Sequence, residues 1–207
     1  MGKQKTAKGK YKFLLIIPVV VLIVLGVYFF AQQPSTSSKQ KTLDEISALL
    51  TLSYSRPLTT SDFSQLRSDI QNDSIALGYL DDAIWFANHN IQVHVDHNLS
   101  DLYNYFYYGK DDVCVPHEIE HFGDFIKYND YSLIPSSLER INRGYATWYQ
   151  NSQTFRQKFP ATYSNFDDLS TMINATLKNI ESGNYLPTLD NITYITQYDY
   201  EGCVVTA

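Results

Sequence analysis

Hydrophobic and polar positions divide the chain into one long apolar run followed by shorter amphipathic segments. Residues 13–31 are apolar and carry no charge, and their number suffices for a helix that crosses the hydrocarbon core of a bilayer. The run is too long for the hydrophobic region of a signal peptide, and Phe29 stands where a cleavage site needs a small residue. We therefore predict a single transmembrane helix at 13–31 that stays attached to the protein.

Basic residues predict the orientation of this helix. Lysines are frequent in residues 1–12, whereas only Lys39 and Lys41 lie close behind the apolar run. Because basic residues favour the cytoplasmic side, residues 1–12 are predicted to be a cytoplasmic tail of a single-pass cell-membrane protein. The polar residues 32–41 then form a linker, and residues 42–207 form one extracytoplasmic domain.

The pattern after residue 42 is mainly that of amphipathic helices. Apolar residues recur at helical spacing, most clearly between residues 74 and 89, and capping residues mark several ends. Helices are predicted from Thr42 or Asp44 to about Leu52, from Ser61 to before Asn72, at 74–89, from Ser100 to Gly109, from Pro116 onward, at 136–158 and at 165–182.

Two segments favour strands instead. Apolar and polar residues alternate at 91–96, and the tail 192–205 is rich in β-branched and aromatic residues. The predicted fold class is therefore mainly α: a single N-terminal transmembrane helix, followed by one helical extracytoplasmic domain with a few short strands.

Charge limits the partners of this domain. Five of the 16 basic residues are lysines in residues 1–12, and all 22 acidic residues follow residue 31, so residues 32–207 carry a net charge of about −11. Such a chain repels phosphate backbones, so we expect no nucleic-acid partner. Cations and basic protein surfaces fit this charge better.

The two cysteines, Cys114 and Cys203, both belong to the domain predicted to lie outside the cell. An oxidising compartment favours a disulfide between them, which would link the C-terminal tail to the segment around residue 114. The alternative is a reactive thiol, because Cys114 directly precedes a predicted helix, whose N-terminus stabilises a thiolate.

The most specific motif is HEIEH at residues 117–121. On a helix, His117 and His121 lie one turn apart and can bind one metal ion, while an adjacent glutamate can deprotonate a metal-bound water. The motif resembles the H-E-x-x-H site of zinc metallopeptidases, and the resemblance covers these five residues. It implies zinc as cofactor, His117 and His121 as ligands, and Glu118 as general base.

A zinc site of this kind requires a third protein ligand. The extended pattern H-E-x-x-H-x-x-G-x-x-H is excluded, since Asp124 and Lys127 occupy its glycine and last histidine positions. Other zinc metallopeptidases take a glutamate from a following helix, which makes Glu139 the candidate ligand. His94 and His97 are further candidates, because all five histidines of the chain fall between residues 89 and 121.

Three alternatives compete with a zinc site. HEIEH can be the polar, solvent-facing side of an ordinary amphipathic helix. The pair Glu118 and His121 also matches one element of carboxylate-bridged di-iron bundles, but the chain has no second E-x-x-H. Finally, residues 84–128 resemble the Cys-bearing region of transglutaminase-like proteins. That resemblance implies that Cys114 takes the nucleophile's place, without the later histidine that activates it.

Two functions remain after these exclusions. The first hypothesis is a membrane-anchored domain with a binding or assembly role toward other membrane or surface proteins, which the 17 tyrosines and the polar composition favour. The alternative is a membrane-tethered, zinc-dependent hydrolase that uses the HEIEH motif.

Overall fold

The computed structural model describes residues 36–111, 113–158 and 166–197, which are mainly helical and contain no strand. The predicted mainly α fold class is confirmed for these residues. In chain order the helices are α1 (Thr36–Ser53), α2 (Ser64–Asp69), α3 (Ser74–Asn88), α4 (Gln92–Tyr108), α5 (Val115–Lys127), α6 (Ile134–Lys158), α7 (Phe166–Glu181) and α8 (Leu189–Thr196). Short 3-10 turns at Thr60–Phe63 and Leu186–Thr188 precede α2 and α8.

Local chemistry sets several helix ends. Asp73 caps α3, since its carboxylate accepts hydrogen bonds from the backbone N–H of Ile75 and Ala76. Gly109 ends α4 with a φ of 66°, a left-handed conformation that glycine adopts without steric cost. Pro116 lies in the first turn of α5, where its missing N–H costs nothing. The helices predicted at 74–89, 136–158 and 165–182 are confirmed by α3, α6 and α7.

Both predicted strands are wrong where the structure describes them. Residues 92–96 form the start of α4, and residues 192–196 belong to α8. The alternation at 91–96 is misleading because Val95, Leu99 and Leu102, spaced as on one helix face, are the buried positions, whereas Val93 is exposed. The predicted start at Ser100 therefore falls inside a longer helix, and the rest of the predicted tail strand lies outside the described residues.

The predicted transmembrane helix at 13–31 and the cytoplasmic tail at 1–12 also lie outside the described residues. Among the helices that the structure describes, none combines the length and apolar character needed to cross a membrane. Helix α1 begins at Thr36, so residues 36–41 of the predicted linker are helical. The compact unit that contains every side chain discussed below begins at Thr42.

Packing in this unit surrounds α5 with other helices. Helix α3 pairs with α4, while α5 contacts α8 and α6, and α6 also contacts α3. The apolar side of α5 contributes three residues without solvent exposure, Ile119, Phe122 and Phe125, to the hydrophobic core. Burial of these side chains fixes α5, and the helix in turn fixes the position of its histidines.

Cys114 is the residue at the N-terminal boundary of α5. Its predicted disulfide partner, Cys203, lies outside the described residues, so the pairing stays a prediction. The transglutaminase-like reading of Cys114 requires later strands that carry a histidine and an aspartate. Residues 115–158 and 166–197 contain no strand to supply them.

Candidate metal centre

Three of the four polar residues of the HEIEH motif are buried. His117 is 6% exposed, Glu118 is 2% exposed and His121 has no exposed surface. An ordinary amphipathic helix keeps such residues in water, because removing polar groups from water is costly unless they find partners. The solvent-facing interpretation of these three residues is therefore wrong, and their partners define the site.

Helix α4 brings two further histidines to His117. Ring centroids lie 4.7 Å apart for His97 and His117, 5.5 Å for His94 and His117, and 6.3 Å for His94 and His97. One ring nitrogen from each of the three residues can be chosen so that all lie within 4.8 Å of one another. We call His94, His97 and His117 the histidine triad. His94 and His117 are buried, whereas His97 is partly exposed.

Two carboxylates of α5 lie beside the triad. The Nε2 atom of His94 is 3.3 Å from Asp124 Oδ2, and the Nδ1 atom of His117 is 3.6 Å from Glu120 Oε2. Partial burial alone would raise the pKa of Asp124, but its hydrogen bond with His94 and the nearby Lys127 hold that pKa below its ordinary value. The other ring nitrogen of His94, Nδ1, is buried and has no hydrogen-bond partner.

His121 lies next to the triad without belonging to it. Its ring centroid is 4.6 Å from that of His117 and 5.0 Å from that of His94. Complete burial, together with the neighbouring His117, lowers the pKa of His121 well below its ordinary value, so the ring is neutral. Neither ring nitrogen of His121 has a hydrogen-bond partner, which is uncommon for a buried imidazole.

A second group of potential ligands joins His121 to two carboxylates. Oxygen atoms of Asp82 and Glu118 and a ring nitrogen of His121 lie within 4.8 Å of one another, and all three residues are buried. His121 Nδ1 is 3.5 Å from Asp82 Oδ2 and 3.8 Å from Glu118 Oε2. Helices α3 and α5 supply these residues. We call Asp82, Glu118 and His121 the carboxylate group.

Arg140 of α6 contacts both carboxylates of the carboxylate group. Its Nη2 atom donates to Asp82 Oδ2 and, at 2.9 Å, to Glu118 Oε2. The guanidinium is 1% exposed, and burial alone would lower its pKa, but Asp82 and Glu118 more than offset this and raise the pKa above its ordinary value. Glu118 therefore faces a permanent cation, which does not suit the predicted role of a general base beside a metal-bound water.

The structure does not bring the predicted ligand Glu139 to this site. Its side chain is 76% exposed and pairs with Arg143, one turn further along α6, at 3.3 Å. The fifth histidine, His89, is also separate from the triad: its ring stacks on Trp85 with centroids 3.8 Å apart, and its Nδ1 atom bonds to the Trp85 carbonyl. The predicted pair His117 and His121 does lie together, with its closest additional imidazoles on α4.

The comparisons with known proteins find no relatives. No protein-family model, curated protein or solved structure matches this chain. The chemistry of the site is therefore argued from its own side chains.

Sequence reasoning did not identify two members of this site, Asp82 and Arg140. Asp82 carries a recognisable signal, because the residues around it on the buried side of α3, Tyr79, Ala83 and Phe86, mark a core position at which an acidic residue needs a partner. Arg140 lacks such a signal. Of its two neighbours in sequence, Glu139 is exposed and Ile141 is buried, and only the packing of α6 against α3 and α5 reveals that Arg140 is buried too.

Proposed function

We propose that this chain is a metal-binding protein in which His94, His97 and His117 hold one divalent transition-metal ion. The single observation that carries the proposal is the convergence of three imidazole nitrogens within 4.8 Å of one another. Nitrogens that share a tetrahedral zinc ion lie about 3.4 Å apart, given zinc–nitrogen bonds of about 2.0–2.1 Å. Metal binding would draw the three ring nitrogens together to that spacing.

The helices supply a rigid frame for these ligands. His94 and His97 are three residues apart on α4 and therefore share one face, while His117 projects from the first turn of α5. Asp124 and Glu120 lie behind His94 and His117, where they can accept the second ring proton and fix each ring's orientation. Ligating histidines in metal sites almost always have such a partner.

Ligand chemistry favours zinc among the common ions. Three imidazoles are borderline nitrogen donors that suit zinc, copper, nickel or iron, whereas magnesium and calcium prefer oxygen ligands. Zinc also accepts the tetrahedral arrangement that three histidines and one further ligand provide. The negative charge of residues 32–207 attracts cations of any kind and adds affinity without adding selectivity.

A second candidate function is zinc-dependent hydrolysis, and the number of ligands favours it. Three protein ligands leave a fourth position for water, as in catalytic zinc sites. In this function Glu120 would act as the general base instead of accepting the ring proton of His117, because its side chain is 35% exposed, whereas Glu118 is paired with Arg140. Together with the predicted membrane helix at 13–31, either function describes a membrane-tethered extracytoplasmic metal protein.

Metal content of the full-length chain tests the proposal. The purified protein is stripped with a chelator, dialysed and titrated with Zn²⁺ by isothermal titration calorimetry, and the loaded protein is analysed for zinc by mass spectrometry. We expect about one zinc per chain, at micromolar affinity or tighter for three histidine ligands. His97→Ala should abolish this binding. His89→Ala is the matched control and should retain it, because His89 stacks on Trp85 outside the triad. Absence of zinc binding, or equal loss in both variants, would contradict the proposal.

A further inference from the structure

We infer that Arg140 acts as a built-in cation that fills a second metal position beside the histidine triad, and thereby restricts the site to one metal ion. This inference rests on the proposed function, because the triad supplies the first ion. Without Arg140, the same site is expected to bind two ions.

The carboxylate group has the composition of a metal site. Two carboxylates and one imidazole form a ligand set that divalent transition metals accept. Asp82 and His121 have no solvent exposure and Glu118 has 2%, so water does not satisfy them. In addition, His121 is completely buried and makes no hydrogen bond through either ring nitrogen. These buried nitrogens are therefore available to bind an ion.

Arg140 competes for the oxygen atoms that a metal would use. Its Nη2 atom contacts Asp82 Oδ2 and Glu118 Oε2, the same two atoms that lie 3.5 and 3.8 Å from His121 Nδ1. Ser137 Oγ lies 3.2 Å from the same Nη2 atom. One guanidinium thus pairs with both buried carboxylates, and burial raises the pKa of Asp82 above its ordinary value. A metal ion at this position would meet a like charge at van der Waals distance, and the repulsion in a buried site is strong.

The surrounding residues leave space for this guanidinium. A Cβ atom at Gly78 would lie 2.9 Å from Arg140 Nη1, so a larger residue at that position would have to shift the end of the Arg140 side chain. The ring of Tyr79 lies beneath the guanidinium, with 4.9 Å between its centroid and Arg140 Cζ. The Arg140 guanidinium therefore lies next to Gly78, packs on the Tyr79 ring and pairs with Asp82 and Glu118. Any movement away from this position would break these contacts.

The two groups are close enough to form a binuclear centre. His117 of the triad and His121 of the carboxylate group have ring centroids 4.6 Å apart. Metal ions in binuclear enzymes are about 3.5–4 Å apart, so ions in both groups would be neighbours. The arrangement thus resembles a binuclear site in which one metal has been replaced by an arginine side chain.

Metal stoichiometry of Arg140 variants of the full-length chain tests the inference. The protein is titrated with Zn²⁺ and, separately, with Co²⁺, and stoichiometry is read by calorimetry and by native mass spectrometry. Arg140→Gln should raise the number of bound ions per chain from one to two. Arg140→Lys should keep one ion, because it retains the positive charge. Arg143→Gln, on the same helix and in ion pairs with Glu139 and Asp111, is the matched control and should also keep one.

Glu118→Gln provides a second measurement that leaves Arg140 in place. Because Glu118 is paired with Arg140 and lies outside the triad, this variant should bind one Zn²⁺ with an affinity within about threefold of the unmodified chain. If Arg140→Gln folds only when Zn²⁺ is added, as monitored by circular dichroism, and then holds two ions, the metal has replaced the arginine and the inference holds.

Three results would overturn the inference: two ions bound by the unmodified chain, no additional ion in folded Arg140→Gln compared with the unmodified chain, or loss of binding in Glu118→Gln. Arg140→Gln that remains unfolded with Zn²⁺ would also overturn it, because the metal then does not replace the arginine. Failure of the proposed function gives a different pattern. The unmodified chain then binds no metal, while Arg140→Gln still gains one ion at the carboxylate group.

Discussion

Arg140 and Glu118 form a buried ion pair, with Nη2 of the arginine 2.9 Å from Oε2 of the glutamate. In a zinc metallopeptidase the glutamate of H-E-x-x-H faces a metal-bound water, and a guanidinium in contact with it would occupy the oxygen atom that has to accept the proton. The residues of the motif therefore have different neighbours in this chain. His117 joins two histidines of α4, and Glu118 joins Asp82 around Arg140.

Removal of Arg140 should destabilise the protein more than removal of the Glu118 charge. Arg140→Gln leaves two buried carboxylates without a cation, and breaking a buried ion pair in this way costs about 3–5 kcal/mol. Glu118→Gln leaves Arg140 paired with Asp82, so the expected cost is about 1–3 kcal/mol, the range for an imperfectly satisfied buried group. Urea denaturation in the presence of a chelator measures both. A larger loss for Glu118→Gln would contradict the assignment of Arg140 as the central cation.

Asp124 should contribute to metal affinity without binding the metal. It faces His94 Nε2 at 3.3 Å and orients that ring, and loss of such a partner typically weakens metal binding about 10–100-fold. Asp124→Asn is expected to fall in this range in a Zn²⁺ titration. Asp96→Asn is the matched control on α4, because Asp96 accepts a hydrogen bond from Gln92 instead. Equal affinities for the two variants would show that Asp124 does not support His94.

Glu139→Gln should be nearly silent. The side chain is 76% exposed and its ion pair with Arg143 is on the surface, so the free energy of unfolding should change by less than about 0.5 kcal/mol. Zinc affinity should also be unchanged, since the triad does not include this residue. A loss of zinc binding on this substitution would restore the ligand set predicted from the motif, namely His117, His121 and Glu139.

Gly144 of α6 should not tolerate a side chain. A Cβ atom there would lie 2.4 Å from Val113 Cβ, and neither the helix nor the segment before α5 offers a flexible end that can move. Gly144→Ala should destabilise the protein by about 1–3 kcal/mol, the usual cost of overpacking. Val113→Ala should not relieve the clash, because it keeps the Cβ atom, whereas Val113→Gly should. Urea denaturation of the double variants measures this difference, and equal stability of both would contradict the close approach.

Most helices could be predicted because the periodic pattern of their apolar residues extends over many residues. Helices α3, α6 and α7 extend over several turns, and buried residues recur on one face of each. The failures fall where the pattern is short. Six residues at 91–96 alternate as a strand would, but they continue into a helix whose buried positions are Val95, Leu99 and Leu102.

The candidate site could be predicted only in part. HEIEH and the clustering of the histidines between residues 89 and 121 pointed to His117 and to helix α4. The sequence could not show that Glu118 is paired with Arg140, because that contact depends on how α3, α5 and α6 pack together. Nor could it exclude Glu139, whose spacing from His121 fits a zinc ligand until the helix is seen to direct it into solvent.

X-ray absorption at the zinc edge of the loaded, full-length chain tests the central claim most directly. The account predicts three imidazole nitrogens and one additional oxygen at about 2.0–2.1 Å from zinc, with the outer-shell scattering of histidine rings. In His97→Ala the zinc, and with it the edge signal, should be lost. Two imidazoles with a carboxylate in the unmodified chain, unchanged by His97→Ala, would contradict the account and support the ligand set of the zinc metallopeptidases.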